Sequence, residues 1–299
     1  MERNPAQQIS IWANLSQAMT DFGLLVKFRL SVMVLFSALM AYAIAGAGQI
    51  NWVGFILLAI GGFLVTGASN ALNEVLERDY DRLMPRTANR PVATGRMSVS
   101  NAVLLAGLMA LFGVSILSLF NPLTGFLGML SLISYAFIYT PLKRSTSLAV
   151  AVGAVPGALP LVIGCTAWDG VITPAALMLF AIQFLWQFPH YWAIAWLADE
   201  DYKRAGFFML PSRNGEKNST TGFLSFLFCV AMLANALLGY WLGFSGPVAT
   251  LALIALNSFF AWKSWQLYRT CSREAARRQM FASFLHLPLS LIVLLLDKF

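Results

Sequence analysis

Runs of about 20 apolar residues recur along almost the whole chain, each long enough to cross a hydrocarbon core about 30 Å thick as a helix. Nine such runs occur, at approximately 24–46, 51–73, 99–119, 122–140, 147–165, 172–195, 221–243, 247–267 and 280–297. In lipid a spanning segment must satisfy its own backbone hydrogen bonds, so helices are the natural element. The uninterrupted runs also lack the period-two alternation of a membrane barrel. The predicted fold is therefore all-α, a polytopic transmembrane helical bundle of about nine helices, forming one domain over residues 1–299. Only 11% of residues are charged and 59% are hydrophobic, far from the roughly 25% charged of a soluble domain. Residues 1–20 lack the apolar core and small-residue cleavage pattern of a signal peptide, so they are expected to be an N-terminal cytoplasmic segment, and the first span the insertion signal.

A net charge of +7 could point to nucleic acid, but the placement of the basic residues points elsewhere. With nine spans, alternate connections belong to opposite sides. One side holds Arg3, Lys27, Arg29, Arg78, Arg82, Arg86, Arg90, Arg96, Lys143, Arg144, Lys203, Arg204, Arg213, Lys217, Lys263, Arg269, Arg273, Arg277 and Arg278, which is 19 of the 20. Only Lys298 falls on the other. The positive-inside rule makes that rich side, and the N-terminus, cytoplasmic and puts the C-terminus outside. Connections at 74–98, 196–219 and 268–279 read as long and polar, whereas those near Gly48, Asn121, Asp169 and Ser245 are short. Chemistry is expected at the cytoplasmic face. Cys165, Cys229 and Cys271 form no CxxC pair and read as buried small hydrophobes.

Seven of the 13 acidic residues sit in two cytoplasmic stretches: Glu74, Glu77, Asp79 and Asp81, then Asp199, Glu200 and Asp201. In the first, Asn73, Glu77 and Asp81 recur every four residues and share one helix face. Carboxylates one turn apart repel unless a cation sits between them. Hard oxygens at this spacing suit Mg²⁺, which is usually held by one or two carboxylates plus substrate phosphates. The bland reading is a solvated helix end with Glu77 and Asp81 paired to Arg78, Arg82 or Arg86. Beside the acids lie Arg82, Arg86, Arg90 and Arg96, interleaved with turn residues. They read either as a topology anchor or as a phosphate grip, for which the bidentate guanidinium is well shaped. Lys143, Arg144, Lys203 and Arg204 add further positive charge on the same side.

Two histidines occur, both inside spans. His190, flanked by Phe188, Pro189, Tyr191 and Trp192, reads as a hydrogen-bonded residue facing the protein interior. His286 reads as a structural hydrogen-bonder. Gly61-Gly62 and Gly153…Gly157 read as close-packing or kink positions.

The register of Asn73, Glu77 and Asp81 resembles the aspartate-rich motif of the UbiA-type intramembrane prenyltransferases, with Glu77 where many members have Asp. Further stretches are similar to the branch that farnesylates haem, the protohaem IX farnesyltransferases or haem O synthases. They are Lys27-Phe-Arg29, Glu77-Arg-Asp-Tyr-Asp81…Met84…Arg86-Thr…Asn89-Arg90-Pro91, Tyr139-Thr-Pro-Leu-Lys143-Arg144, Gly157-Ala-Leu-Pro160, Trp186-Gln-Phe-Pro-His190-Tyr-Trp192, Asp201-Tyr-Lys-Arg-Ala-Gly206-Phe-Phe-Met-Leu-Pro211 and Leu285-His286-Leu-Pro288. The segments around His190 and at 201–211 are specific to that branch. The compact Asp199-Glu200-Asp201 group departs from the widely spaced aspartates of quinone-prenylating relatives.

The resemblance implies an enzyme that joins the farnesyl group of farnesyl diphosphate to a vinyl group of haem B, giving haem O and diphosphate for haem–copper oxidase cofactors. It implies Mg²⁺ held by Asn73, Glu77 and Asp81, with Asp199 and Asp201 as further ligands. Diphosphate would be bound by Arg82, Arg86, Arg90, Lys143, Arg144, Lys203 and Arg204, and haem B by His190. Haem A synthase or a terminal-oxidase assembly factor would be a partner, the setting membrane lipid of a bacterial plasma or inner membrane, and nucleic acid no partner. The alternatives are prenylation of an aromatic quinone precursor and, outside enzymes, a transporter. A transporter would place ionisable groups along a mid-membrane path, where this chain has only its two histidines.

Overall fold

The computed structural model describes residues 5–212 and 215–298, with side chains from residue 15 onward. Arg3 and Arg213 of the basic set lie outside the described residues. In chain order the elements are α1 (Pro5–Leu25), α2 (Phe28–Ala45), α3 (Trp52–Asp81), the short turn α4 (Pro91–Thr94), α5 (Val99–Ser118), α6 (Pro122–Ile133), a π-helical turn (Ser134–Tyr139) running into α7 (Thr140–Leu142), α8 (Ala149–Asp169), α9 (Pro174–Leu197), α10 (Asp199–Arg204), α11 (Ser219–Trp241), α12 (Pro247–Thr270) and α13 (Arg273–Leu296). No strand occurs among the described residues. The nine predicted spans map in order onto long helices, with α6, the π turn and α7 acting as one rod. Seven of these rods are apolar and long enough to cross a membrane. The other two, α9 and α12, are 24 residues each; their polar residues lower the hydropathy, and Gln183, Gln187, His190, Asn257 and Ser264 among them are buried in the bundle.

Local chemistry sets the helix ends. Asn51, Ser98, Asn121, Thr173 and Ser272 each cap a helix start by accepting a backbone N–H from three residues on, an arrangement worth about 1 kcal/mol apiece. Pro122, Pro174 and Pro247 occupy the first helical position, where a missing N–H costs nothing.

Helix α1 (Pro5–Leu25) occupies most of the expected N-terminal segment, residues 1–20, and runs into the start of the first predicted span. Two local expectations change. The connection expected at 268–279 shrinks to Cys271 and Ser272, because α12 and α13 continue as helix beyond the apolar run. Cys271 is exposed there, in contrast to the buried Cys165 and Cys229.

Helix α8 is the axis of the bundle, 78% buried over its apolar window. Small residues let its neighbours touch its backbone: a Cβ at Gly164 would lie 2.1 Å from the Ala38 carbonyl oxygen of α2. Side chains of neighbouring helices use its backbone carbonyls, one of them freed by an internal proline. The Pro156 carbonyl, left without a donor by Pro160, accepts from Ser131 Oγ at 3.3 Å. Gln187 and Gln183 of α9 donate to the Ala154 and Gly157 carbonyls at 3.0 and 2.7 Å. The connections assigned to one side do meet at one end. Phe208 N–H donates to the Lys143 carbonyl at 3.0 Å, Arg86 to the Tyr202 hydroxyl at 3.2 Å, and Arg273 to the Leu197 carbonyl at 3.5 Å. At the opposite end Lys298 reaches the Phe244 carbonyl at 2.6 Å.

Candidate active site

Helix α3 has a single helical register from Trp52 through Asp81, so its apolar span passes without a break into the polar turn that carries Asn73, Glu77 and Asp81. These three side chains lie on one face and are buried, at 0%, 6% and 0% exposure. A charge taken out of water costs several kcal/mol unless it is paired, and each of the three meets a cation from a different stretch of chain. Lys27 Nζ donates to Asn73 Oδ1 at 2.5 Å, Lys143 Nζ to Glu77 Oε1 at 2.8 Å, and Arg90 to both Asp81 oxygens at 2.8 and 2.7 Å. The expected pairings of these acids with Arg78, Arg82 or Arg86 do not occur. Arg78 and Arg82 pair with Asp79 instead, and Arg82 also donates to the Ala93 carbonyl at 2.7 Å.

Lys27 was not among the residues singled out for chemistry. It sits at the joint of α1 and α2 with φ 48°, a left-handed backbone that a side-chain-bearing residue adopts at a cost of order 1 kcal/mol. Burial, with Arg90 and Lys143 nearby, brings its ammonium down to about 7, against the pull of Glu77 and Asp81. The neighbouring cations behave in the opposite way. For Lys143 burial is the largest single influence and opposes the charge, but Glu77, Tyr135 and Tyr202 together outweigh it and raise the pKa. Burial likewise opposes the charge of Arg90, and Asp81 with Glu74 and Glu77 together outweigh it.

The π turn explains how the fourth polar group arrives. Thr140 N–H and Oγ both bond the Tyr135 carbonyl, a widened turn of the kind often found at functional sites. Thr140 Oγ then accepts from Asn73 Nδ2 at 3.0 Å. Glu74, fully buried, accepts the Val92 N–H through Oε1 at 3.1 Å and so ties the α4 turn to α3, while its Oε2 has no partner.

Among the other predicted diphosphate ligands, Arg86 lies against the Tyr202 ring at 5.3 Å and Arg144 over the Tyr80 ring at 4.7 Å. The Lys143 ammonium sits 4.5 Å above the Tyr139 ring. Lys203 is held by Asp199 at 3.0 Å, with Lys217 at 3.6 Å from the same carboxylate. Arg204 is exposed and Asp201 half-buried. The two acidic groups do not merge: among the described residues no three Asp, Glu, His or Cys side chains converge as a metal cluster. Two carboxylates and an amide on α3 still fit an octahedral cation that takes its remaining oxygens from substrate phosphate and water.

Against this polar rim opens a cavity between α2, α3, α6 with its π turn, α8 and α9. Asn70, one turn from Asn73, and Tyr139, beneath Lys143, form its polar edge; Tyr135, Tyr191, Val150 and Pro156 line its body. Gly153 leaves room for the Tyr139 ring, since a Cβ there would lie 2.6 Å from it. Tyr135, Tyr139 and Tyr191 carry no charge signal and lie inside apolar runs, so only the turn after span four and the aromatic cluster around His190 hinted at them.

His190 is buried and outside that cavity's lining, although its neighbour Tyr191 belongs to it. Its Nδ1 lies 2.7 Å from Ser283 Oγ. His286 bonds Asn257 Oδ1 at 2.7 Å, the structural role expected of it.

The model of the UbiA prenyltransferase family matches residues 34–287. A protohaem IX farnesyltransferase from Cytophaga hutchinsonii is 42% identical over 276 residues, 92% of this chain and 96% of that one. The solved structure of a digeranylgeranylglyceryl phosphate synthase superposes with a TM-score of 0.79 at 14% identity, covering 94% of this chain and 99% of the other. A UbiA homologue from Archaeoglobus fulgidus bound to GPP and Mg²⁺ gives 0.65 at 14% identity, over 92% and 99%.

Proposed function

The chain belongs to the UbiA prenyltransferase family, and on that premise we propose that it farnesylates haem B: farnesyl diphosphate, haem B and water give haem O and diphosphate. The observation that carries this reading is the α3 face, where Asn73, Glu77 and Asp81 meet Lys27, Lys143 and Arg90 at the mouth of an aromatic-walled apolar cavity. A diphosphate head needs the first arrangement and an isoprenoid tail the second.

Asn73, Glu77 and Asp81 would hold Mg²⁺, which on binding supplies Lewis-acid stabilisation of the leaving diphosphate. Lys143 and Arg90, held charged by their partners, and Lys27 face the same region and share the negative charge that grows as the C1–O bond breaks. The bonding pair leaves with diphosphate. Tyr135, Tyr139 and Tyr191 present π faces to the allylic cation that remains and keep water from it. A haem vinyl group then supplies its π electrons to C1, and the cation left on the vinyl carbon takes water and loses a proton, giving the hydroxyethylfarnesyl substituent. Asp199 and Asp201 would contribute through the order of the adjoining loop, and His190 through haem. The positive rim faces the cytoplasm in this reading, and haem O passes to an enzyme or assembly factor that uses it. The clustered charges gathered at one rim, with neutral side chains through the interior, weigh against a transporter.

Membranes containing this chain, given haem B, farnesyl diphosphate and Mg²⁺, are expected to form haem O, read by mass spectrometry. Folded protein that forms none refutes the assignment.

A further inference from the structure

Helix α13 carries a polar stripe through the bundle interior: Gln279, Ser283, His286 and Ser290, all buried. The first two of these engage α9 around Pro189. Gln279 Nε2 donates to the Pro189 carbonyl at 2.8 Å. Ser283 acts twice on the next turn: its carbonyl accepts the Trp186 indole N–H at 3.0 Å and its Oγ lies 2.7 Å from His190 Nδ1. Trp186 and His190 are one turn apart on α9, and their rings stack at 4.4 Å with planes 16° apart.

A hydroxyl has one proton. Ser283 Oγ lies 2.5 Å from the Met280 carbonyl, a separation that would set two lone pairs against each other unless the hydroxyl proton lies between them. Ser283 therefore donates to Met280 and must accept from His190, so Nδ1 carries the imidazole proton and Nε2 the free lone pair. Among the described residues Nε2 has no hydrogen bond, and the residue keeps 9% exposure. A histidine that ligates a metal almost always donates its other ring N–H, which fixes tautomer and ring orientation.

We propose that Ser283, together with Trp186, is the positioning residue that fixes His190 as the Nδ1–H tautomer and offers Nε2 to the iron of an iron porphyrin. The inference rests on the reading of His190 as the haem contact. The test is a titration of the full-length protein in phospholipid nanodiscs with ferric haem b, followed by absorption and electron paramagnetic resonance. The parent protein should show nitrogen-ligated haem and H190A should lose that signature. S283A should bind about tenfold to a hundredfold more weakly with a shifted ligand-field signature, and S283T, which keeps the hydroxyl, should recover both. S283A titrating like the parent while H190A loses ligation overturns the clamp and leaves the haem contact standing. An unchanged spectrum in H190A overturns both. Should S283A fail to fold, W186F keeps an aromatic ring beside His190 and removes the indole N–H that Ser283 accepts; it is expected to weaken binding, and parent-like titration by W186F overturns the clamp.

Discussion

The two acidic groups look alike in the sequence and differ in the structure. On α3, Glu74, Glu77 and Asp81 are enclosed while Asp79 stays exposed, and the cations that meet this face come from other stretches of chain: Lys143 lies 66 residues from Glu77, Lys27 lies 46 from the neighbouring Asn73, and Arg90 reaches Asp81 from beyond the end of the helix. At 199–201 only Asp199 is buried, it pairs with Lys203 one turn away on the same helix and with Lys217, and Glu200 is exposed. Enclosing a charge costs several kcal/mol that a distant partner must offset. A pair with an exposed local lysine is worth at most about 1 kcal/mol. The difference teaches that clustering by itself marks little, whereas acids enclosed and tied across the fold mark the place where geometry is being held.

The largest effect is expected at α3. Ala at Glu77 or Asp81 should lower haem O formation by at least about a hundredfold to a thousandfold, the scale of removing a preorganised charge-stabilising group. Each change also strands a buried cation, Lys143 or Arg90, at a cost of about 3–5 kcal/mol. Glu77→Gln and Asp81→Asn keep the shape, so they are the variants in which activity and melting temperature separate. Full activity in both would remove the metal-site reading and erase the contrast between the two acidic groups.

The bundle was legible because the lipid imposes one length and one element on every span. The Asn73–Glu77–Asp81 face was legible because α3 holds a single register across the membrane edge. Their partners were not. Lys27 sits within an apolar run and reaches Asn73 only because the α1–α2 joint takes a left-handed turn. Thr140 reaches the site through a π turn, which no periodicity announces. The extended α12–α13 hairpin escaped because its helices continue past the apolar signal into polar sequence.

A smaller effect is expected at Asp199. Asp199→Ala should cost about 1 kcal/mol of stability or less and change turnover less than about threefold, with the Mg²⁺ dependence of the rate unmoved. Were the variant instead to need much more Mg²⁺, the second group would belong with the first in holding the cation.

The smallest effect concerns an acid outside both groups that shares one trait with the first. Asp21 of α1 is buried and bonds Arg96, 75 residues away, at 2.9–3.3 Å. The Arg96 hydrogen bond holds its carboxyl below the ordinary range, against the opposing effect of burial. A depressed carboxyl contributes stability that is present above about pH 4, the unfolded-state value, and is lost as pH falls through its folded value. Arg96 is 30% exposed, so about 0.5–1 kcal/mol is at stake. The difference in melting temperature between the parent and Asp21→Asn should therefore be constant from pH 8 to about pH 5 and close as the pH falls below about 4; a gap that widens in acid contradicts the pairing. Turnover in the variant should match the parent. A large loss of activity would make distant pairing by itself a mark of function and would draw α1 into the site.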